Sequence, residues 1–232
     1  MEHQRDLGIL RRTELFHGIP DDVLSDLHTA SFRKRVAANE VLFRQGDAVE
    51  SFYVVIVGRF RVTQTTPEGQ QIIIRYLGPG QVAGYSALTG AEQHPGTVTA
   101  LDDGHLFGWS RGVIQQFMGR HAAIAVNATA VLGKRYHELQ VRLRELATER
   151  VEQRIAHTVL RLAQQAGHRT SRGIEIAFPL SRQDLAEMTG TTLHTVSRTL
   201  SAWEEKGIVD SGRRRVIVCK SDELEAMAAA ER

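Results

Sequence analysis

Two different periods of apolar and polar residues divide this chain. Between about residues 36 and 107, β-branched and aromatic residues come in short runs, at 41–43, 51–57, 59–65, 71–76 and 97–100. Runs of this composition suit a pleated, half-buried surface. They are separated by Gln45-Gly46-Asp47, Pro67-Glu68-Gly69, Gly78-Pro79-Gly80 and Leu101-Asp102-Asp103-Gly104. Glycine and proline at such intervals mark hairpins, because the turns need a positive or a fixed φ. The pattern predicts an antiparallel barrel or sandwich. Ahead of it, residues 21–30 read as a short helix opened by Pro20-Asp21-Asp22.

From about residue 120 to 147 the period becomes helical, with no proline and Gly133 as the one internal glycine. Ala125, Thr129, Leu132, Tyr136, Leu139, Leu143 and Leu146 recur at alternating spacings of four and three. That is the a/d seam of a coiled coil, flanked by Lys134, Arg135, Glu138, Arg142, Arg144 and Glu145. A helix packed on its own domain is the alternative. The narrow stripe and charged flanks favour a seam with a second copy, whose interface would hold Leu132, Tyr136, Leu139, Leu143 and Leu146. After the polar break Thr148-Glu149-Arg150 comes a helix over 151–165, and residues 167–173 read as a polar loop.

Residues 181–207 have the spacing of a helix-turn-helix. Ser181-Arg182-Gln183-Asp184 is a capping-box start. Ala186 is small enough for close helix approach, Gly190 supplies a turn at positive φ, and Val196 anchors the second helix. Either Thr191 or Thr192 can cap that helix. Val196, Leu200 and Trp203 share its inner face, while Leu193, His194, Ser197 and Arg198 fall on the other, where recognition helices meet base edges. Arg213-Arg214-Arg215, between Gly207-Ile208-Val209 and Val216-Ile217-Val218, resembles the basic tip of a wing. The expected DNA-binding residues are Ser181, Arg182, Gln183, Thr191, Thr192, His194, Ser197, Arg198 and Arg213, Arg214, Arg215.

Composition narrows the alternatives. The 232 residues carry 29 Lys and Arg against 27 Asp and Glu, so the chain is no polycation. Residues 151–220 nonetheless hold eleven Lys and Arg against seven Asp and Glu, whereas 221–232 hold four acids and one Arg. A mildly basic segment suits a nucleic-acid face. No apolar run approaches the roughly twenty residues of a membrane helix, and the N-terminus lacks a signal-peptide pattern, so a reduced, cytoplasmic protein without a membrane partner is expected. Cys219 alone cannot hold an iron–sulfur cluster. No His-x-His pair, Gly-rich phosphate loop or nucleophile elbow is present, so no metal site and no enzymatic function are expected.

These motifs together resemble the CRP/FNR bacterial transcription regulators over nearly the whole chain. Leu15-Phe16-His17-Gly18-Ile19 is similar to the family's lead-in, Phe43-Arg44-Gln45-Gly46-Asp47 and Val57-Gly58-Arg59 to its β-roll turns, and Arg154-Ile155-Ala156 to the start of its DNA-binding domain. The resemblance implies an α+β chain: a jelly-roll-like β-roll at 1–119, a dimerisation helix at 120–148 and a winged helix-turn-helix at 149–232. It implies a homodimer that binds an inverted repeat in double-stranded DNA and contacts RNA polymerase, with residues 168–173 a candidate contact loop. Effector binding is expected to act on the helix register or on a hinge at 148–150. A signalling subunit on the same barrel, without DNA binding, is the alternative.

Departures from the family pattern bear on the effector. Where cAMP-binding members carry Gly-Glu and Arg-Ser, this chain resembles them only as Gly84-Tyr85 and His94-Pro95, and the adenine-receiving Thr-Ser pair is matched by Leu139-Gln140. A neutral His does not replace an arginine's bidentate hold on phosphate, so cAMP is not the expected effector. The pocket candidates are Gly84, Tyr85, His94, Leu139 and Gln140. Haem-dependent gas sensors in the family make haem a candidate cofactor, with His94, His17 or His121 as ligand. Thr195-Val196-Ser197-Arg198 also resembles the core of nitric-oxide-responsive denitrification regulators. His194 stands where most members carry a Glu, and Arg198 matches the family arginine that contacts guanine.

Overall fold

The computed structural model describes residues 2–229; Met1 and residues 230–232, which include Glu231 and Arg232 of the acidic tail, lie outside it. The chain forms two compact units, Met1–Glu138 and Leu139–Arg232.

In the first unit, α1 (Glu2–Arg12), a 3₁₀ turn (Glu14–Phe16) and α2 (Asp21–Thr29) precede the strands β1 (Phe32–Val36), β2 (Val41–Phe43), β3 (Ser51–Val57), β4 (Phe60–Thr65), β5 (Gln71–Leu77) and β6 (Val82–Ala83). There follow α3 (Ser86–Thr89), β7 (Thr97–Ala100), β8 (Gly104–Ser110), α4 (Arg111–Arg120) and the start of α5 (Ala122–Thr148). The strands make two four-stranded antiparallel sheets, ordered β1-β8-β3-β6 and β2-β7-β4-β5. Side chains alternate along β3 with the strand period of two. Phe52 and Val54 join Phe107, Trp109, Leu24 and Leu27 in a core shared with the helices, while Val55 joins Phe60, Leu77, Val98 and Leu106 between the sheets. The Trp109 indole, fully buried, donates to the Leu27 carbonyl at 2.7 Å.

The N-terminal part of α5 closes this unit. Ile124, Ala128 and Val131, at spacings of four and three, are buried. Asn127 donates to the carbonyls of Leu15 and His17, and Lys134 pairs with Glu14 at 2.7 Å.

The sequence leaves α1, β1 and β8 unmarked. Phe32-Arg33-Lys34-Arg35-Val36 is too basic to read as a strand, and its pairing with β8, from Phe32↔Gly108 to Val36↔Gly104, makes it one. The β3–β4 turn rests on Gly58, at φ +93°, where a Cβ would lie 2.7 Å from the Gly104 Cα. Neither backbone can yield there without disturbing both sheets. Gly58→Ala is therefore expected to destabilise the unit by about 2–4 kcal/mol, read as a fall in thermal midpoint.

The second unit begins inside α5 and continues with α6 (Val151–Ala166), β9 (Gly167–Thr170), β10 (Gly173–Ile176), α7 (Arg182–Thr189), α8 (Leu193–Glu205), β11 (Val209–Gly212), β12 (Arg215–Val218) and α9 (Ser221–Ala229). The boundary at Glu138/Leu139 differs from the division at 119/120 and 148/149 expected from the sequence. Residues 148–150 join two helices of one unit. Within it, Arg161 pairs with the buried Glu145 at 2.5 Å. Residues 167–173, expected as a loop, start a hairpin in the sheet β11-β12-β10-β9. Their polar composition hides the strand, because its order comes from pairing with β10.

Candidate nucleic-acid interface and effector pocket

Local chemistry sets the two helices of the turn motif. Ser181 caps α7: its Oγ accepts from the Asp184 N–H at 3.0 Å, while the Asp184 carboxylate accepts from the Ser181 N–H at 2.8 Å. Gly190 ends α7 in the left-handed region, at φ +63°. Thr192, rather than Thr191, caps α8, accepting from the Thr195 N–H at 3.2 Å. The last carbonyls of α7 would otherwise lack donors. Arg142 donates to the Met188 carbonyl at 3.4 Å and Arg154 to that of Thr189 at 3.2 Å.

Val196, Leu200 and Trp203 are fully buried, and the Trp203 indole donates to Glu152 on α6 at 3.0 Å. The opposite face is thereby turned outward: Leu193, His194 and Arg198 are exposed and Ser197 partly so. The Arg198 side chain has no hydrogen bond or ion pair among the described residues. Gln183 is exposed and donates to Glu187.

The wing is β11–β12, with Arg213 and Arg214 at its exposed tip. Asp210 holds Arg215 at 3.1 Å and Arg172 at 2.6 Å. Arg182 is engaged within the unit, donating to Glu204 at 3.3 Å and to the Ser211 hydroxyl at 3.1 Å. A phosphate contact from Arg182 or Arg215 would compete with those carboxylates. Arg213 and Arg214 carry no such commitment among the described residues.

A Cβ on Gly84 would lie 3.5 Å from His94 Cε1, so these two are neighbours. The His94 ring is buried and lies flat on Phe43, with centroids 3.7 Å apart and planes at 12°. Burial lowers its pKa, against the pull of Asp47, and its Nδ1 is buried without a hydrogen-bond partner. His94 helps line a concavity of about 360 Å³ with Phe43, Tyr53, Asp47 and Glu50.

Tyr85 sits in a different electrostatic neighbourhood, among Arg75, Arg135 and Glu14. Burial raises its pKa, and burial together with the nearby Arg135 pushes Arg75 down to about 10. Leu139 and Gln140 are exposed and belong to the second unit. Sequence reading passed over Arg75; the signal was a lone cation inside Ile72-Ile73-Ile74-Arg75-Tyr76-Leu77.

Family models match both units: a cyclic nucleotide-binding domain over residues 33–121 and a Crp-like helix-turn-helix domain over 153–227. The chain is 30% identical over 221 residues to the cyclic AMP receptor protein of Thermus thermophilus, covering 94% of this chain and 98% of that one. The chain belongs to the CRP/FNR family of transcription regulators. This CRP/FNR regulator is also 28% identical over 184 residues to the nitrogen fixation regulation protein FixK of Azorhizobium caulinodans, covering 78% of this chain and 73% of that one. The solved structure of FixK2 from Bradyrhizobium japonicum shares the fold with a TM-score of 0.76 at 23% identity, covering 87% and 99% of the two chains. Membership makes the regulator a DNA-binding protein, and the matched helix-turn-helix domain contains α7–α8. Among the described residues, no helix is long and apolar enough to cross a membrane.

Proposed function

We propose that this CRP/FNR regulator is a homodimer that binds an inverted repeat in double-stranded DNA, controls transcription with RNA polymerase, and responds to an effector other than cAMP. The observation that carries the DNA reading is the outward Arg198, whose side chain is uncommitted among the described residues, beside Ser197 and His194 on a doubly capped pair of helices. Arginine's parallel donors match guanine O6 and N7 in the major groove. Arg213 and Arg214 suit phosphates beside that groove.

The dimer reading rests on α5. Tyr136 is 64% exposed, Leu139 56%, Leu143 68% and Leu146 53%, with Leu132 at 36%. Five large apolar side chains at a/d spacing, open to water on one helix, form the kind of stripe that a second copy covers. Two recognition helices would then meet half-sites about 34 Å apart.

Two relatives' names tie them to cAMP, including a cAMP-activated global regulator of Mycobacterium tuberculosis, 20% identical over 216 residues. The sensor loop of this chain argues for another ligand. His94, stacked on Phe43 and with its pKa lowered by burial, offers a cyclic phosphate no bidentate cation, and Tyr85 offers the ribose no carboxylate. Calorimetry with cAMP is expected to show no saturable heat at micromolar ligand; a micromolar Kd would contradict the reading.

Titrating a random duplex pool separates the regulator from a signalling subunit. Binding is expected to weaken steeply as salt rises, as phosphate contacts require. A chain that leaves the pool unbound even at low salt is no DNA-binding regulator.

A further inference from the structure

We infer that the concavity bounded by the end of β2, the turn before β3, β3 itself and the loop before β7 is a binding site for a small organic amine, held as its primary ammonium ion. This rests on the reading of the first unit as the sensor of a ligand other than cAMP, and it names the chemistry of that ligand.

The space, of about 360 Å³, is lined by Phe43, Asp47, Glu50, Ser51 and Tyr53 together with His94, and no Lys, no Arg and no residue of α5 lines it. Cavities of this size hold small ligands. Its backbone is fixed in advance. His94 N–H donates to the Asp47 carbonyl and Gly46 N–H to that of His94, at 2.9 Å each, and Ala48 pairs with Gln93. Asp47 accepts from the Arg44 N–H at 2.7 Å through one carboxylate oxygen. The Glu50 carboxylate is exposed, with no hydrogen bond or ion pair among the described residues. His94 is 4% exposed, and its Nδ1 lacks a partner. A buried polar atom left unpaired is costly, and in one tautomer this nitrogen is an acceptor.

A ligand suited to this lining brings three things: positive charge for two carboxylates, N–H donors for the acceptors, and an apolar body for the rings. Phe43 lies flat on His94 and 6.4 Å from Tyr53, with planes at 23°, so the three rings make one wall. A primary ammonium on a short methylene chain has all three properties, and a cation beside aromatic rings gains further attraction. A metal ion brings only the charge, and among the described residues no three His, Cys, Asp or Glu side chains are grouped to ligate one. The ligand's charge is thus opposite to that of a cyclic nucleotide.

The test is calorimetry on the full chain with putrescine and, separately, with tetramethylammonium, at constant ionic strength. Putrescine is expected to bind saturably with a Kd below about 1 mM. Tetramethylammonium, charged but without N–H donors, is expected to bind about tenfold more weakly or worse. Glu50→Gln keeps the shape of a side chain that makes no hydrogen bond or ion pair in the chain, so the thermal midpoint without ligand should stay unchanged. The same variant is expected to weaken putrescine about tenfold. His94→Phe, which keeps a stacked ring without an acceptor, is expected to weaken it about fivefold. Equal putrescine affinity in the natural chain and Glu50→Gln, or no saturable heat from putrescine, overturns the proposal. So does tetramethylammonium binding as tightly as putrescine, which marks unspecific attraction of charge, or complete displacement of putrescine by magnesium, which marks a metal site. Micromolar cAMP binding beside Glu50-dependent putrescine binding defeats the non-cAMP reading alone; the absence of both defeats this inference alone.

Discussion

Leu143→Arg is expected to turn the proposed dimer into a monomer at low micromolar concentration. Leu143 has the most exposed of the five stripe side chains, so within one chain a charge there touches water and costs little. In a paired seam the same substitution places two arginines against apolar partners with no counterion. A penalty of about 4 kcal/mol for the pair weakens association roughly a thousandfold. Light scattering reads the mass, and circular dichroism checks that the helical content is unchanged. Binding to an inverted repeat should fall with the dimer, since one half-site provides only part of the contacts. A Leu143→Arg variant that remains dimeric would remove the seam from this account.

Arg198→Ala is expected to cost about 1–3 kcal/mol on a specific site and much less on random duplex. The asymmetry follows from what each arginine has to meet. Arg198 leaves α8 on the face opposite the buried Val196, Leu200 and Trp203, with no hydrogen bond or ion pair from its side chain among the described residues. Its fork is therefore available to a guanine edge. Arg214, at the wing tip, is placed for the phosphate backbone, which is the same in every sequence. Arg214→Ala should weaken specific and random binding alike and reduce the steepness of the salt dependence. His194 bears on the neighbouring pair: a neutral imidazole accepts through one ring nitrogen only, so preference there should be relaxed relative to a Glu. Equal losses on both DNAs for Arg198→Ala would show that α8 is not the reader.

The helix-turn-helix was legible because its constraints are local. A cap at Ser181, a positive φ at Gly190 and an apolar inner face are each written within a few residues of where they act. The exposed apolar stripe of α5 was legible for the same reason, since a heptad needs only its own period. Elements ordered by distant partners were not. The basic strand β1 exists through its register with β8, seventy-odd residues later, and the β9–β10 hairpin joins its sheet through β12, some forty residues on. The sensor was harder still. His94 was visible as a departure from the family's arginine, but its stacking on Phe43 joins the loop before β7 to the end of β2. Arg182 read as a phosphate contact because sequence shows the cation and not Glu204 and Ser211, which engage it.

In vitro selection of duplexes by the full-length chain tests the central claim most directly. A dimeric reader built on Arg198 predicts one enriched motif: an inverted repeat, its half-sites one helical turn apart, about 10 base pairs, with a required guanine in each. Affinity for that motif should exceed affinity for random duplex by about a thousandfold or more. A pool that stays unenriched, or one that converges on a single half-site without symmetry, would contradict the account.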